Sequence, residues 1–411
     1  LLNFYCLIQY FRKNNKYLYL VFPVFLIWAY SCNQPTVQQQ KVSIVKAEKP
    51  FFSRPENPLH FASSHDSIVL KYWNNLHHIF QFSANILLVK NDSFFVWSRG
   101  LADENLQLSD TQPMQVASLS KPFCAVAVMK LVYTNKIKLS DTLRKFFPQL
   151  PYYNVTVENL LSHGSGLPEY IFFTDHVWDD KSIPVTNANI IPYLIKNNPE
   201  TYFQPGARHR YTNTNYVLLA CIIEKITGKK YARYLKENIF NPLGMQNTKV
   251  LETKTDFLNM PVKGFYGNGK QIEWDFQDGT YGDKNIVSTV WDLYRFYLGL
   301  KKNKLFPAEI KQEMFKTRWQ KTRAGADYAL GWRKREHHGI PWIFHTGWWH
   351  GFRANLYFSE EKDCFAVTLS NRLSGGFIYG NLLTSMFDAQ NFSTILNQLN
   401  LAKNSNFKDA D

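Results

Sequence analysis

The chain has 411 residues, 45% of them apolar and 19% charged, a balance that suits a large folded core and excludes a disordered polymer. Its formal net charge is +14, yet Lys and Arg are scattered, and no helix-turn-helix, RRM or zinc-finger pattern occurs, so nucleic-acid binding is not expected. A basic surface facing anionic envelope polymers or lipid accounts for the charge as well.

Arg12, Lys13 and Lys16 precede an apolar stretch, Tyr17–Tyr30, followed by Ser31-Cys32. A basic flank, a short apolar run and a small residue make a secretory signal pattern. Fourteen residues are too few for a membrane span. Ser31-Cys32 resembles the cleavage point of bacterial lipoprotein signals. Residues 1–32 are therefore expected to be a signal peptide, with Cys32 as the lipidation site and a location in the cell envelope. An uncleaved anchor or a plain signal peptide stays open. The chain opens on Leu1 and its first methionine is Met114, where initiation would discard two expected strands. A fragment or a non-standard start codon is expected. Residues 33–60 are polar and proline-punctuated, and read as a tether.

Asp66–Phe82 has helical spacing, with Val69, Leu70, Trp73, Leu76, Ile79 and Phe80 on one stripe. Asn85–Val89 and Ser93–Arg99 read as a β-hairpin. An apolar helix opens at Ala117-Ser118-Leu119-Ser120-Lys121-Pro122-Phe123. Thr156 is positioned to cap a helix that runs to Leu161. Helices and loops dominate from Pro168 to about Asn285, among them Tyr216–Ile226, closed by Gly228. Another helix covers Ser288–Leu300, with Thr289 as cap. Beyond residue 320 the period shortens, and Tyr328–Arg333, Trp342–His345, Arg353–Phe358 and Cys364–Ser370 are expected strands. Strands at both ends with helices between predict an α+β fold: one antiparallel sheet flanked by helices, with a mostly helical insertion. The expected catalytic unit is 61–400, its α/β part being 61–150 and 286–400 and its insertion 151–285, with a tail at 401–411.

Ser-x-x-Lys alone is uninformative, and Ser43–Lys46, Ser359–Lys362 and Ser405–Lys408 repeat it in the tether, a charged turn and the tail. Only Ser118–Lys121 opens a helix that is apolar on nearly every face, hence buried. Pro122 is tolerated in a first helical turn, which places the helix start near Ser118. Residues three apart share a face, so the Ser118 hydroxyl and the Lys121 amine can meet. Burial disfavours an ammonium, which makes Lys121 a candidate base. A capping serine beside a snorkelling lysine is the plainer alternative.

Two further stations decide between them. Tyr211-Thr212-Asn213 precedes the Tyr216–Ile226 helix, and Phe344-His345-Thr346-Gly347-Trp348-Trp349 lies in the later strands. Ser-x-x-Lys, Tyr-x-Asn and His-Thr-Gly in this order resemble the serine β-lactamase and penicillin-binding protein superfamily. The segments Leu160–Pro168, Phe240–Thr248, Gly282–Phe296, Tyr328–Trp332 and Val367–Arg372 resemble it too. The likeness spans about residues 65–390 and leans towards class C β-lactamases, DD-peptidases and related esterases.

The resemblance implies a β-lactamase/transpeptidase-like fold and a serine hydrolase without a metal or cofactor. Ser118 would form an acyl-enzyme, Lys121 would help remove its proton, and Tyr211 would act as second base or relay. The backbone N–H groups of Ser118 and Trp348 would form the oxyanion hole. Asn213 would bind a substrate amide. His345, Thr346 and Gly347 would face the substrate, with His345 in place of the usual lysine. Histidine is mostly neutral at pH 7; within the superfamily His-Thr-Gly resembles DD-peptidases, D-amino-acid peptidases and esterases, so acyl transfer is expected and efficient β-lactam hydrolysis is not. Trp348 and Trp349 make either an apolar substrate wall or strand packing. The expected partner is a small-molecule or peptide substrate; a non-catalytic cell-wall or β-lactam sensor on the same scaffold is the alternative.

Other features are set aside. Five cysteines without a CxxC give no disulfide framework, and Cys124 and Cys221 read as small buried hydrophobes. Gly264–Lys270 nearly spells a phosphate loop but reads as a surface turn. His163 reads as a packed structural histidine. His77-His78 and His337-His338 are adjacent, so each pair is expected to point apart, and metal catalysis is not expected.

Overall fold

A computed structural model describes residues 52–55, 64–373, 380–388, 392 and 394. All fall in the unit Pro50–Asp411. The expected signal peptide with Cys6 and Cys32, almost all of the tether and the 401–411 tail lie outside the described residues. No described helix is long and apolar enough to cross a membrane.

The first helix, α1, covers Ser64–Phe80, and the hairpin β1 (Ala84–Lys90) and β2 (Ser93–Arg99) follows. Short strands β3 (Leu101–Asp103), β4 (Leu106–Gln107) and β5 (Met114–Gln115) lead to a 3₁₀ turn at Ala117–Leu119 and helix α2, Ser120–Tyr133. Then come α3 (Leu143–Phe146), α4 (Val157–Leu161), α5 (Tyr170–Val177), α6 (Asn187–Asn197), α7 (Thr214–Thr227) and α8 (Tyr231–Leu235). Strand β6 (Lys249–Val250), α9 (Lys254–Leu258), β7 (Ile286–Ser288), α10 (Val290–Lys301) and α11 (Ala308–Phe315) precede the last strands. These are β8 (Asp327–Tyr328), β9 (Arg333–His337), β10 (Ile340–Trp349), β11 (Phe352–Ser359) and β12 (Cys364–Ser370); helix α12 is Gly380–Ser385.

Seven strands form one sheet in the order β2-β1-β12-β11-β10-β9-β8, and each pair is antiparallel. The strands after residue 320 thus insert beside the N-terminal hairpin, as expected. Two-residue turns set the register. Asn91-Asp92, His338-Gly339 and His350-Gly351 all have positive φ, the backbone of type I′ hairpins. Each face of the sheet buries its own core. Leu87, Leu356 and Val367 face α2 and α10, whereas Ile86, Tyr357 and Ala366 face Trp73 of α1 and Leu383 of α12. With both faces covered, every residue of β12 is buried.

Local signals held where capping chemistry wrote them. Thr156 and Asn159 form a reciprocal capping box at α4, Thr289 caps α10, and Gly228 ends α7 at φ +64°. Two expectations change. Tyr328–Arg333 is not one strand: the chain breaks at Gly331, φ +81°, where a Cβ would strike Ala125 on α2. The mostly helical stretch also contributes β6, which pairs with β7, and β7 pairs with β5. That small sheet ties the lead-in of the serine turn to the 286 segment.

Gly282 has φ +99°, and a Cβ there would lie 2.3 Å from the Tyr216 carbonyl oxygen on α7. Gly282→Ala is expected to lose about 2 kcal/mol of stability or more in denaturant unfolding. A wild-type midpoint would contradict this close approach.

Candidate active site

The serine turn departs from the expected helix start. Ser118 sits in the 3₁₀ turn, one residue after Ala117, which is held at φ +50°. A non-glycine residue in the left-handed region costs about 1–2 kcal/mol, which the buried surroundings of Ala117 must offset. The α-helix proper begins at Ser120, and Ser120–Met129 are all buried.

Lys121 is fully buried at the base of this helix. Its Nζ lies 3.0 Å from Ser118 Oγ, 2.8 Å from Asn213 Oδ1 and 3.0 Å from the Asp283 carbonyl oxygen. The last two can only accept hydrogen bonds, whereas the Ser118 hydroxyl can donate. A neutral amine has two N–H donors and one lone pair. It would donate to Asn213 and Asp283 and leave the lone pair aimed at the serine O–H. Tyr211 completes the group: its ring centroid is 4.9 Å from Lys121 Nζ, and its hydroxyl makes no hydrogen bond within the described protein. The three residues are brought to one place from a helix start and a loop 90 residues apart in the chain.

Ser118, Tyr211, Asn213, Thr346, Gly347 and Trp348 line one cleft of about 730 Å³. Its floor is the edge of β10. Strand β9 pairs only as far as Arg333–Phe344, so residues 345–349 carry β11 on one side and no strand on the other. The type I′ turn at 350–351 makes Trp349–Phe352 the hydrogen-bonded pair, so Trp348 and Thr346 direct their backbone groups away from β11. The Thr346 carbonyl accordingly accepts from His345 Nδ1 at 2.8 Å. The serine turn lies against this edge: a Cβ on Gly347 would meet the Val116 oxygen at 2.2 Å and Ser118 N at 3.0 Å. Only glycine permits that approach.

His345 is a correction. Its ring is fully buried and does not line the cleft. Nδ1–H donates to Thr346, and Nε2 accepts from the Tyr328 hydroxyl at 3.3 Å. Burial, then the Arg333 and Lys121 cations, hold the imidazole well below its ordinary range. It is a neutral prop behind Tyr211, with ring centroids 6.3 Å apart, and not a substrate cation. Asn213 lines the cleft and has further partners. Its Oδ1 serves Lys121 and its Nδ2 donates to Glu169 Oε2 at 3.2 Å, which leaves one amide hydrogen for a substrate. Trp348 is 65% exposed, so it is cleft wall and not strand packing, whereas Trp349 donates its indole N–H to Asp278.

His163 is the packed histidine expected. Its Nδ1 accepts from Thr212 N and Asn215 Nδ2, and its ring backs Tyr211 at 4.2 Å. The adjacent histidines do not point apart: the His337 and His338 rings are 4.0 Å apart because His338 adopts φ +51° in the turn, and His77 and His78 are 5.6 Å apart. No group of three potential metal ligands occurs among the described residues. Gly264–Lys270 closes as a turn, with Tyr266 N bonded to the Lys270 oxygen. Cys124, Cys221 and Cys364 are free and buried.

Sequence reading missed four contributors. Arg333 lines the cleft with its guanidinium 5.5 Å from the Tyr211 ring and Nη1 3.5 Å from Thr346 Oγ1. Asp283 supplies a carbonyl to Lys121, and Lys284 is buried beside it. Glu169 accepts from Asn213. The signal for Glu169 was its place directly after Pro168 in an apolar stretch, where a lone acid is unusual.

The sequence matches the Beta-lactamase family over residues 87–389, and the chain belongs to that family. It is 31% identical over 314 residues to penicillin-binding protein 4* of Bacillus subtilis (strain 168), covering 71% of this chain and 68% of that one. It spans about two thirds of the length of the curated relatives it matches. Among solved structures, an octameric penicillin-binding protein homologue from Pyrococcus abyssi superposes with a TM-score of 0.66 at 23% identity, covering 81% of this chain and 77% of that one. The D-amino acid amidase of Ochrobactrum anthropi SV3 gives 0.66 at 22% identity, over 82% of this chain and 100% of that one. The fold is that of the serine β-lactamase and penicillin-binding protein superfamily.

Three histidines here resist protonation. His163 and His345 are held well below the ordinary range by burial first, and His209 is lowered to about 4, by burial and then Arg333. Unfolding therefore takes up protons below about pH 6.5. The three histidines are expected to lower stability as pH drops from 6.5 towards 4, by up to ~1.4 kcal/mol per pH unit each, offset in part by Glu169, whose carboxyl, raised to about 7, gains stability as pH falls from 7 to 4.5. Urea midpoints between pH 7.5 and 4.5 measure it, and a flat profile from 7 to 5 would contradict these environments.

Proposed function

We propose that the protein is a serine hydrolase that cleaves an amide or ester through an acyl-enzyme on Ser118. The observation that carries this reading is the amine–hydroxyl contact at the open strand edge: Lys121 Nζ, with two acceptor-only partners, 3.0 Å from Ser118 Oγ.

In this reading the Ser118 oxygen attacks the substrate carbonyl carbon while its proton passes to the Lys121 lone pair. The N–H groups of Ser118 and Trp348 receive the developing oxyanion, a pair of donors that contributes several kcal/mol to the transition state, roughly 2.7–4 for one of them. Tyr211, between the amine and the cleft, passes a proton to the departing nitrogen or oxygen. Water then attacks the acyl carbon and gives its proton to the Tyr211 phenolate, while Lys121 returns the proton it took to the Ser118 oxygen as that oxygen is released.

Two features point to the substrate. His345 is neutral and buried; of the cations that line the cleft, Arg333, Lys284 and Arg353, Arg333 lies beside Tyr211 and Thr346 and suits a carboxylate on the leaving side. The exposed Trp348 and the cleft-lining Ile171 suit an apolar side chain or acyl group. A peptide or amide with a free carboxylate fits best, and the D-amino acid amidase likeness of the fold is in keeping with the amide cleavage alone. Export and a lipid anchor at Cys32 belong to the same proposal and rest on the N-terminal pattern.

A fluorophosphonate probe is expected to label wild type at Ser118, and Ser118→Ala is expected to lose labelling and at least about 10⁴-fold of turnover. Equal labelling of both proteins would refute the assignment. Arg333→Ala is expected to raise KM about tenfold for a carboxylate-terminated amide and leave an uncharged ester unchanged, which the two kcat/KM ratios measure. Equal losses on both would remove the carboxylate reading.

A further inference from the structure

We infer that Glu169 and Tyr170 form a positioning pair, each fixing one of the two acceptors on which the Lys121 amine rests. The inference deepens the acyl-enzyme reading and rests on Lys121 being its base.

The two acceptors come from separate segments, Asn213 at the start of α7 and Asp283 in the turn before β7. Neither is held by its own element alone. Asn213 gives its backbone N–H to Glu169 Oε2 at 2.8 Å and its Nδ2 to the same oxygen at 3.2 Å. An amide can turn over and exchange oxygen for nitrogen. The Glu169 oxygen permits only one orientation, with Nδ2 towards the acid and Oδ1 towards Lys121. The reverse would set two donors against each other at the lysine. On the other side, the Tyr170 hydroxyl donates to Asp283 Oδ2 at 2.9 Å and also contacts Thr280 and Lys284. Burial, with Asp283 next, pushes the Tyr170 hydroxyl well above its usual range, so it stays a donor. Thus one dipeptide, entering α5 directly after Pro168, reaches both sides of the lysine.

Glu169 is 9% exposed, and while Oε2 holds Asn213 its other oxygen, Oε1, caps α5 by accepting from Ile171 N at 3.5 Å. The charged groups that face it are Asp283 and Lys121. Burial raises its carboxyl to about 7, opposed by the hydrogen bond from Asn213. The ionised form accepts both Asn213 donors as charge-assisted bonds, which are roughly twice as strong as neutral ones. The hold on Asn213 therefore tightens as pH rises through about 7.

The test compares wild type with Glu169→Gln, Glu169→Ala and Tyr170→Phe. Glutamine keeps an oxygen for Asn213 and loses the charge; alanine loses both. Glu169→Ala is expected to lower kcat about 10–100-fold with KM nearly unchanged, the scale of a small misplacement of the base. Its crystal structure is expected to lack the Lys121–Asn213 bond. Glu169→Gln is expected to recover most of kcat and to lose the rise of kcat near pH 7. Tyr170→Phe is expected to lower kcat and leave that rise in place. Wild-type kcat in Glu169→Ala with the Lys121–Asn213 bond intact would overturn the inference. So would a glutamine variant as impaired as alanine with an unchanged pH profile and a lowered Tm, which is a packing role only. Should Glu169→Ala fail to fold, the glutamine pH profile decides. Failure of the acyl-enzyme reading shows separately: wild type turns nothing over, while the crystal structure of Glu169→Ala still shows Asn213 released.

Discussion

A lysine with no exposure to solvent must have every hydrogen-bonding position answered, and that constraint organises this protein. Lys121 meets it with one group from its own helical turn, one from the start of α7 and one from the turn before β7. A buried amine left without partners costs several kcal/mol, so the three segments are bound to arrive together. The glycines mark the closeness this demands. Gly282 lets the Asp283 turn lie on α7, and Gly347 lets the strand edge lie on the serine turn. The all-round apolar character of α2 drives the lysine into the core in the first place.

Around the amine two histidines are kept neutral. His163 and His345 are both neutral by burial and pack near the Tyr211 ring, with centroids 4.2 and 6.3 Å away. Buried Tyr328 supplies the donor that fixes the His345 tautomer. The Lys121 amine lies 4.9 Å and the Arg333 guanidinium 5.5 Å from the centroid of the phenol ring. Where the superfamily pattern has a lysine in the Lys-Thr-Gly triplet, this chain has a neutral ring, and Arg333 of the neighbouring strand β9 lines the cleft. The wall of the cleft is then set by Trp348, and Trp349 is tied back to Asp278.

Much of this was legible in the sequence because it is written in local physics. The apolar helix behind Ser118 announced burial, alternation in β10 to β12 announced the sheet, and Thr156, Thr289 and Gly228 announced helix ends. The Tyr-x-Asn and His-Thr-Gly stations named the other two walls of the cleft. What escaped depends on backbone conformation or on partners distant in the chain. No pattern marks Ala117 as left-handed, and the break at Gly331 hid inside a run that alternates like a strand. His345 reads as cleft-facing by its place in a motif; only the end of β9 at Arg333 and the inward Thr346 carbonyl turn it into a prop. Glu169 has no motif at all, and its meaning comes from a partner 44 residues away. His337-His338 was misjudged because the rule that adjacent side chains diverge fails in a type I′ turn.

The central claim is that Lys121 receives the serine proton, and Lys121→Arg tests it most directly. Arginine keeps a cation and donors at the position but cannot accept a proton. With Tm showing the variant folded, the single-turnover acylation rate is expected to fall about 100-fold or more relative to wild type. Acylation of Ser118 by the arginine variant at the wild-type rate would contradict the account.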